Sequence, residues 1–244
     1  SNRNKIFELV MNKINEKKES IDDSYFTDVL KEKSYEELKL DRYNNKTRGF
    51  VKVQEGCDNY CSYCTVPFAR GHIRSREINN CVEEITKLTN IGMKEIILSG
   101  INTGAYGKDL GRTLADLLKE IVKIPNLGRI RISSIEETEI SKELLDVIKE
   151  NEEHFCMHFH IPLQGGCDNT LKRMNRKYNI SEYQSKIDLI RSYFNDVNIT
   201  TDVLAGFSGE TEEDFTNSIE FIENINFGEM HVFPYSRRPL TKAY

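Results

Sequence analysis

From residue 50 onward, short apolar runs alternate with amphipathic ones, and this rhythm limits the possible folds more than any other feature of the chain. The segments "FVKVQ" (50–54), "KEIILSG" (94–100), "RIRIS" (129–133), "MHFHIPLQ" (157–164), "NITTDVLAGF" (198–207) and "EMHVFPYS" (229–236) read as strands. Between them lie five helical patterns: "INNCVEEITKLTNIG" (78–92), "TLADLLKEIVKIP" (113–125), "EISKELLDVIKEN" (139–151), "SEYQSKIDLIRSYF" (181–194) and "TEEDFTNSIEFIENI" (211–225). In the first of these, Val82, Ile85, Leu88 and Thr89 share one side. Pro125 stops the second, Ser181 is the expected cap of the fourth, and Thr211 with its acidic neighbours opens the fifth. Six strands alternating with five helices imply an α/β fold with a parallel sheet and right-handed crossovers. The spacing fits an open doubly wound sheet or a curved partial barrel. In both, groups that act on a ligand sit at the C-terminal ends of the strands.

Residues 1–48 are polar, with Ile6, Leu9, Val10 and Ile14 at helical spacing and few strong apolar runs after them. They read as a linker or wrapping arm left from a preceding domain, before a core at 49–236 and the start of an extension at 237–244. No run approaches the ~20 apolar residues that span a bilayer, and "SNRNKIFELV" lacks the apolar stretch of a signal peptide. The expectation is a cytoplasmic protein with no membrane contact, in which six cysteines are thiols or metal ligands rather than disulfides. The net charge of −5 argues against a generally basic nucleic-acid binder. Two local basic patches are candidates: Arg70, Arg74 and Arg76, and Lys172, Arg173, Arg176 and Lys177. A solvated face is the plainer reading of each.

The densest chemistry is "EGCDNYCSYCTVP" (55–67), which puts Cys57, Cys61 and Cys64 directly after the first strand. A structural zinc site wants four ligands, commonly from two CxxC-like pairs. Here one such pair is joined by a third cysteine, and His72 is the nearest fourth donor. An iron–sulfur cluster is the other reading, because thiolates are its usual ligands. Three thiolates on a cubane leave one iron open, and an open coordination position distinguishes a catalytic metal site from a structural one. Cys81, Cys156 and Cys167 stand alone and read as small buried or incidental thiols, with Cys167 of "QGGC" the one that follows a strand. The five histidines form no metal motif by spacing. His158 and His160 share a strand face, which suits packing or a hydrogen bond.

The C-x3-C-x-aromatic-C spacing, with Tyr63 as the aromatic, resembles the signature of radical SAM enzymes. "FVKVQEGCDNYCSYCTVPFARGHIRSR", "RIRISSIE", "PLQGGCDNTLKRMNRKY", "TTDVLAGFSGETEEDF" and "HVFPYSRR" resemble, in order, the methylthiotransferase family of that superfamily. The resemblance covers roughly 49–238 and lies nearest the branch acting on N6-threonylcarbamoyladenosine in the tRNA anticodon loop. Sister branches act on isopentenyladenosine in tRNA or on a ribosomal-protein aspartate. A non-catalytic zinc- or RNA-binding α/β module is the competing class.

This resemblance implies a parallel six-stranded (β/α)6 partial TIM barrel. It implies a 4Fe-4S cluster on Cys57, Cys61 and Cys64, and S-adenosyl-L-methionine on the open iron. One electron from a donor such as flavodoxin or ferredoxin then cleaves the sulfonium. Tyr63 is expected near the adenine, and Gly100 of "LSG" near the methionyl amino group. Glu136 of "SSIE" is expected at the ribose, and Gln164 on the same cofactor. Arg176 is expected on the methionine carboxylate, where a guanidinium fork suits it. Asp202 is expected on ribose, since an unpaired carboxylate within a strand is costly, and Leu204 and Gly206 along the adenine. The family also implies a second cluster in an N-terminal domain, and no cysteine precedes Cys57 here. Ser208 replaces the commoner proline of "GFPGE", and "RRPLTKA" departs from the usual ending. tRNA is the expected partner, bound weakly by so acidic a chain.

Overall fold

Why six strands curl into one array follows from how their apolar faces are covered. The structure is a computed structural model that describes residues 5–16, 27–38 and 46–244. Helix α1 (Ile6–Glu16) forms where the periodicity predicts one, with Ile6, Phe7, Val10 and Ile14 exposed. Strand β1 (Arg48–Lys52) is followed by a short antiparallel pair, β2 (Gln54–Glu55) and β3 (Arg74–Ser75). The cysteine loop and helix α2 (Val66–Arg70) lie between β2 and β3. Then come α3 (Ile78–Asn90), β4 (Glu95–Ser99), α4 (Leu114–Ile121), β5 (Arg129–Ile132) and α5 (Lys142–Glu150). The second half holds β6 (His158–His160), α6 (Asp168–Arg173), α7 (Ile180–Tyr193), β7 (Asn198–Ala205), α8 (Glu212–Ile225) and β8 (Glu229–Pro234).

The sheet runs β1-β4-β5 and then β6-β7-β8, with every pairing in both parts parallel. A parallel bridge between Ile130 and Phe155, and a 3.0 Å bond from the Ile135 amide to the His160 carbonyl, join the two halves. The result is the six-stranded α/β array of a partial barrel. Strand β4 is buried on both faces, the pattern of a parallel strand covered by helices. Val51, Leu98, Ile130, Leu117, Leu145 and Ile187 belong to the one large core between strands and helices.

Differences from the sequence expectations are local. Strand "MHFHIPLQ" pairs only over His158–His160 and then leaves the ladder, touching it again at Gln164 opposite Val203. Helix α7 is capped by Asn179, not Ser181, because Asn179 and Glu182 close a reciprocal capping box. Thr211 caps α8 as expected, boxed with Asp214. Part of the expected linker, residues 27–38, lies along the core. Tyr35 donates to the Lys52 carbonyl at 2.8 Å, and Glu37 pairs with Arg76 at 2.7 Å. The rest of 1–48 lies partly outside the described residues.

Candidate active site

The cysteine loop is fixed at both ends by groups that leave it little choice. Gly56 has φ +75°, and a Cβ there would sit 1.8 Å from the His72 carbonyl oxygen, so only glycine fits this turn. Gln54 is fully buried beneath it. Its amide nitrogen donates to the carbonyls of Glu55 (2.9 Å) and Gly56 (2.7 Å). Its oxygen accepts from the amides of Ile101 and Asn102, both at 2.9 Å. One side chain thus ties the cysteine loop to the loop after β4, where Gly100 sits. On the far side, Ser62 bonds the carbonyls of Arg173 (2.8 Å) and Met174 (2.9 Å), and Asn175 donates to the Tyr60 carbonyl at 2.8 Å. A turn from the Cys61 carbonyl to the Cys64 amide, 3.0 Å, sets the spacing of the last two thiols.

All three cysteines are free and half-buried. Burial pushes the Cys57 thiol up to about 11, opposed by a backbone hydrogen bond, and pushes Cys64 up as well. With nothing to bind, these thiols keep their protons, and a bound metal centre would convert them to thiolates. The Val66 amide, 3.4 Å from the Cys64 sulfur, opposes the rise there, and the Arg176 guanidinium lies 3.4 Å from the Cys61 sulfur. A single zinc ion with Zn–S bonds of ~2.3 Å holds its sulfurs within ~4 Å of one another; among the described residues, the three cysteine sulfurs do not form a set with all members within 4.8 Å. His72, the other donor near the loop, has its Nδ1 2.6 Å from Asp58 Oδ1.

Beside the loop opens a cavity of about 370 Å³. Tyr63, Gln164, Asp202 and Leu204 line it, with Phe233, Pro234, Tyr235 and Arg238 from β8 and the segment after it. Four predicted residues therefore meet on one wall at the C-terminal ends of β6 and β7. Gln164 is held at φ +66°, an unusual conformation for its residue type. Its amide bonds the Asp202 carbonyl (2.8 Å) and its carbonyl the Leu204 amide (2.9 Å). Such strain gathers where a ligand must be met. Tyr63 stands edge-on to Phe207, whose ring leans on Tyr235. Burial raises the Tyr63 hydroxyl, so the ring faces the cavity neutral.

The remaining predicted residues lie around this wall rather than on it. Arg176 and Glu136 form an ion pair beside Cys61. Arg176 also reaches the Pro162 carbonyl (3.3 Å) and the Tyr178 hydroxyl (3.1 Å), with its guanidinium over the Tyr178 ring at 4.9 Å. Gly100 lies against Gln54 and Thr103. Gly206, at φ +69°, donates its amide to Glu210 at 2.7 Å. Asp202 is flanked by His160 Nε2 at 3.2 Å and His231 Nδ1 at 3.3 Å.

The two basic patches do not form. Arg74 and Arg76 are buried. Arg74 bonds backbone carbonyls, while Arg76 lies between Glu37 and Glu84. In the second stretch Arg173 pairs with Asp214 at 2.6 Å and Arg176 with Glu136. Of that stretch only Lys172 and Lys177 keep cations on the surface without a carboxylate partner among the described residues. Cys81 and Cys167 are buried within the helical layer and Cys156 lies near Glu95, away from the cysteine loop. Sequence reading missed Gln54, and its only trace there is a polar residue closing an apolar strand.

Comparison with known proteins gives a consistent picture. The Radical SAM superfamily matches residues 51–222. The chain is 43% identical over 210 residues to the threonylcarbamoyladenosine tRNA methylthiotransferase of Thermotoga maritima, covering 86% of this chain and 48% of that one. The Bacillus subtilis protein of the same name is 40% identical, covering 89% and 48%. The tRNA-2-methylthio-N(6)-dimethylallyladenosine synthase of Clostridium tetani is 38% identical, covering 87% and 47%. The chain thus spans about half the length of the curated relatives it matches. Among solved structures, the radical S-adenosylmethionine methyltransferase of Kitasatospora setae superposes with a TM-score of 0.66 at 18% identity, covering 80% of this chain and 38% of that one. Coproporphyrinogen III oxidase of Escherichia coli gives 0.56 at 17%, covering 83% and 48%. These two likenesses bear on the fold.

Proposed function

The chain belongs to the radical SAM superfamily, and from that premise we propose that it is the catalytic core of a tRNA methylthiotransferase acting on N6-threonylcarbamoyladenosine. The observation that carries this reading is the pairing of three half-buried thiols on one pinned loop with a cavity at the strand ends. When bound, a 4Fe-4S cluster supplies the electron that cleaves the sulfonium of S-adenosylmethionine.

This chain's own residues do the rest. Cys57, Cys61 and Cys64 would hold the cluster, and the Gln54 and Ser62 contacts keep their loop in place. Arg176 places a buried cation against the Cys61 sulfur, and Glu136 balances its charge. Its fork can turn from Glu136 to an incoming carboxylate, a like-for-like exchange. Tyr63, Gln164 and Leu204 offer an aromatic ring, a side-chain amide and an apolar wall to the adenosyl part. Gly100, just after β4, leaves room for the Gln54 side chain and is proposed to meet the methionyl amino group through its backbone. The electron donor is proposed to be of the flavodoxin or ferredoxin class, and tRNA the partner.

The substrate assignment rests on four threonylcarbamoyladenosine relatives at 43%, 40%, 39% and 40% identity. Dimethylallyladenosine relatives follow at nearly the same identity, so tRNA itself must decide. Nucleosides from cells lacking the gene should lose the methylthio group on threonylcarbamoyladenosine. Loss on the dimethylallyl or isopentenyl nucleoside instead assigns the sister branch, and loss on neither refutes a tRNA substrate.

A further inference from the structure

Three side chains that no sequence motif links converge at the margin of the cavity. Asp202 on β7 is the register partner of His231 on β8, and His160 comes from β6 on the other side. His160 Nε2 lies 3.2 Å from Asp202 Oδ2, and His231 Nδ1 lies 3.3 Å from Asp202 Oδ1. Among the described residues this is the one set of three His, Cys, Asp or Glu side chains whose ligand atoms all lie within 4.8 Å. We propose that His160, Asp202 and His231 form a binding site for a divalent transition-metal ion, separate from the cysteine cluster.

Ligand chemistry supports this. Two imidazoles and one carboxylate suit zinc, iron or cobalt in the divalent state, and they leave coordination positions open. Ligand atoms ~2.0–2.2 Å from one ion stand ~3.0–3.5 Å apart, and each imidazole nitrogen lies at that spacing from its own oxygen of Asp202. The orientation of His160 is also that of a ligand. Its Nδ1 lies 2.9 Å from the Thr200 hydroxyl, which fixes the ring and points Nε2 at Asp202. Ligating histidines are habitually anchored through their second nitrogen in this way. Thr200 is itself held by His158 Nε2 at 3.0 Å. All three ligands stand on hydrogen-bonded parallel strands rather than loops, so the site is rigid. Asp202 also lines the cavity, so an ion held here would present its open positions to an oxygen of a molecule bound there.

The same distances would arise if each imidazole simply donated an N–H to the carboxylate, so the test must separate an ion from two protons. Cobalt(II) reports this through its visible spectrum. The chain with Cys57, Cys61 and Cys64 all replaced by serine, stripped with chelator, should bind one equivalent of cobalt with weak visible bands and no intense thiolate charge transfer. His231→Ala, at an exposed position, should weaken binding at least 100-fold with an unchanged circular dichroism spectrum. Thr200→Val should weaken it 10–100-fold, the effect of losing a residue that orients a ligand. If the triple serine variant does not fold, zinc counted by mass spectrometry in the cluster-loaded chain gives the same answer, as one zinc per chain lost in His231→Ala. Absence of an equivalent of cobalt or zinc, or binding unchanged by His231→Ala, would overturn the proposal and leave a carboxylate hydrogen-bonded by two imidazoles.

Discussion

Replacing Gln54 with alanine should damage the cysteine loop without touching a cysteine. The side chain is fully buried and makes four hydrogen bonds, two as donor to the Glu55 and Gly56 carbonyls and two as acceptor from the Ile101 and Asn102 amides. Alanine leaves two backbone N–H groups and two carbonyls without this partner. A buried polar group left unpaired costs about 1–3 kcal/mol, and carbonyls tolerate it better than amides. Counting the two amides in full and the carbonyls lightly gives about 3–5 kcal/mol. That is a large part of the 5–15 kcal/mol that usually holds a domain together. Urea unfolding followed by circular dichroism reads the loss, and iron bound after anaerobic reconstitution reads its consequence. Gln54→Glu sharpens the test, because it keeps the acceptor but aims an oxygen at two carbonyls. It should cost as much as alanine. A Gln54→Ala chain within about 1 kcal/mol of the parent, loading iron fully, would refute the idea that this side chain organises the loop.

Other perturbations follow from the same geometry. Arg176→Ala should weaken S-adenosylmethionine binding by about ten- to a hundredfold, the worth of one charge-assisted contact of ~1.5–3 kcal/mol, while iron content is retained; equilibrium dialysis on the loaded chain measures it, and unchanged affinity would move the carboxylate site elsewhere. Glu137 is buried, and desolvation lifts its carboxyl from 4.5 to about 6, aided by the Glu182 and Glu136 charges. Its protonated form therefore stabilises the fold below pH ~4.5, and that contribution is lost as pH rises through about 6. Glu137→Gln should then be more stable than the parent by about 2 kcal/mol at pH 8 and by little at pH 4; equal curves at both would contradict this. With its thiols unloaded, the chain should lose stability as pH rises from about 9 towards the raised Cys57 value of about 11, and Cys57→Ala should flatten that loss in urea titrations repeated across the range.

The strand and helix order was legible because parallel strands covered on both faces, such as β4, read as apolar runs, and their covering helices keep a 3.6-residue period. What spacing left open was curvature. The Ile130–Phe155 bridge and the Ile135–His160 bond join two three-stranded halves, and such long-range pairings carry no periodic signal. Cap identity was misread at Ser181 because Asn179 also has a suitable acceptor three residues later, in Glu182. The cysteines were legible because their ligand spacing lies within one loop. Residues that act across the fold were less so. Arg176 and Glu136 were both marked, yet their pairing with each other depends on loops 40 residues apart. The basic patches failed for the same reason, since the partners of Arg76 and Arg173 lie at Glu37 and Asp214. His160, Asp202 and His231 showed no motif because one comes from each of three neighbouring strands.

The central claim is that Cys57, Cys61 and Cys64 hold a cluster that cleaves S-adenosylmethionine in the cavity beside them. Release of 5′-deoxyadenosine by the anaerobically reconstituted chain, given a chemical reductant and quantified by liquid chromatography, tests it most directly. The parent chain and Cys81→Ala should both release 5′-deoxyadenosine, and Cys61→Ala should release none above the protein-free control. Release by Cys61→Ala equal to that of the parent, or loss of release in Cys81→Ala as complete as in Cys61→Ala, would contradict the assignment of the cluster to this loop.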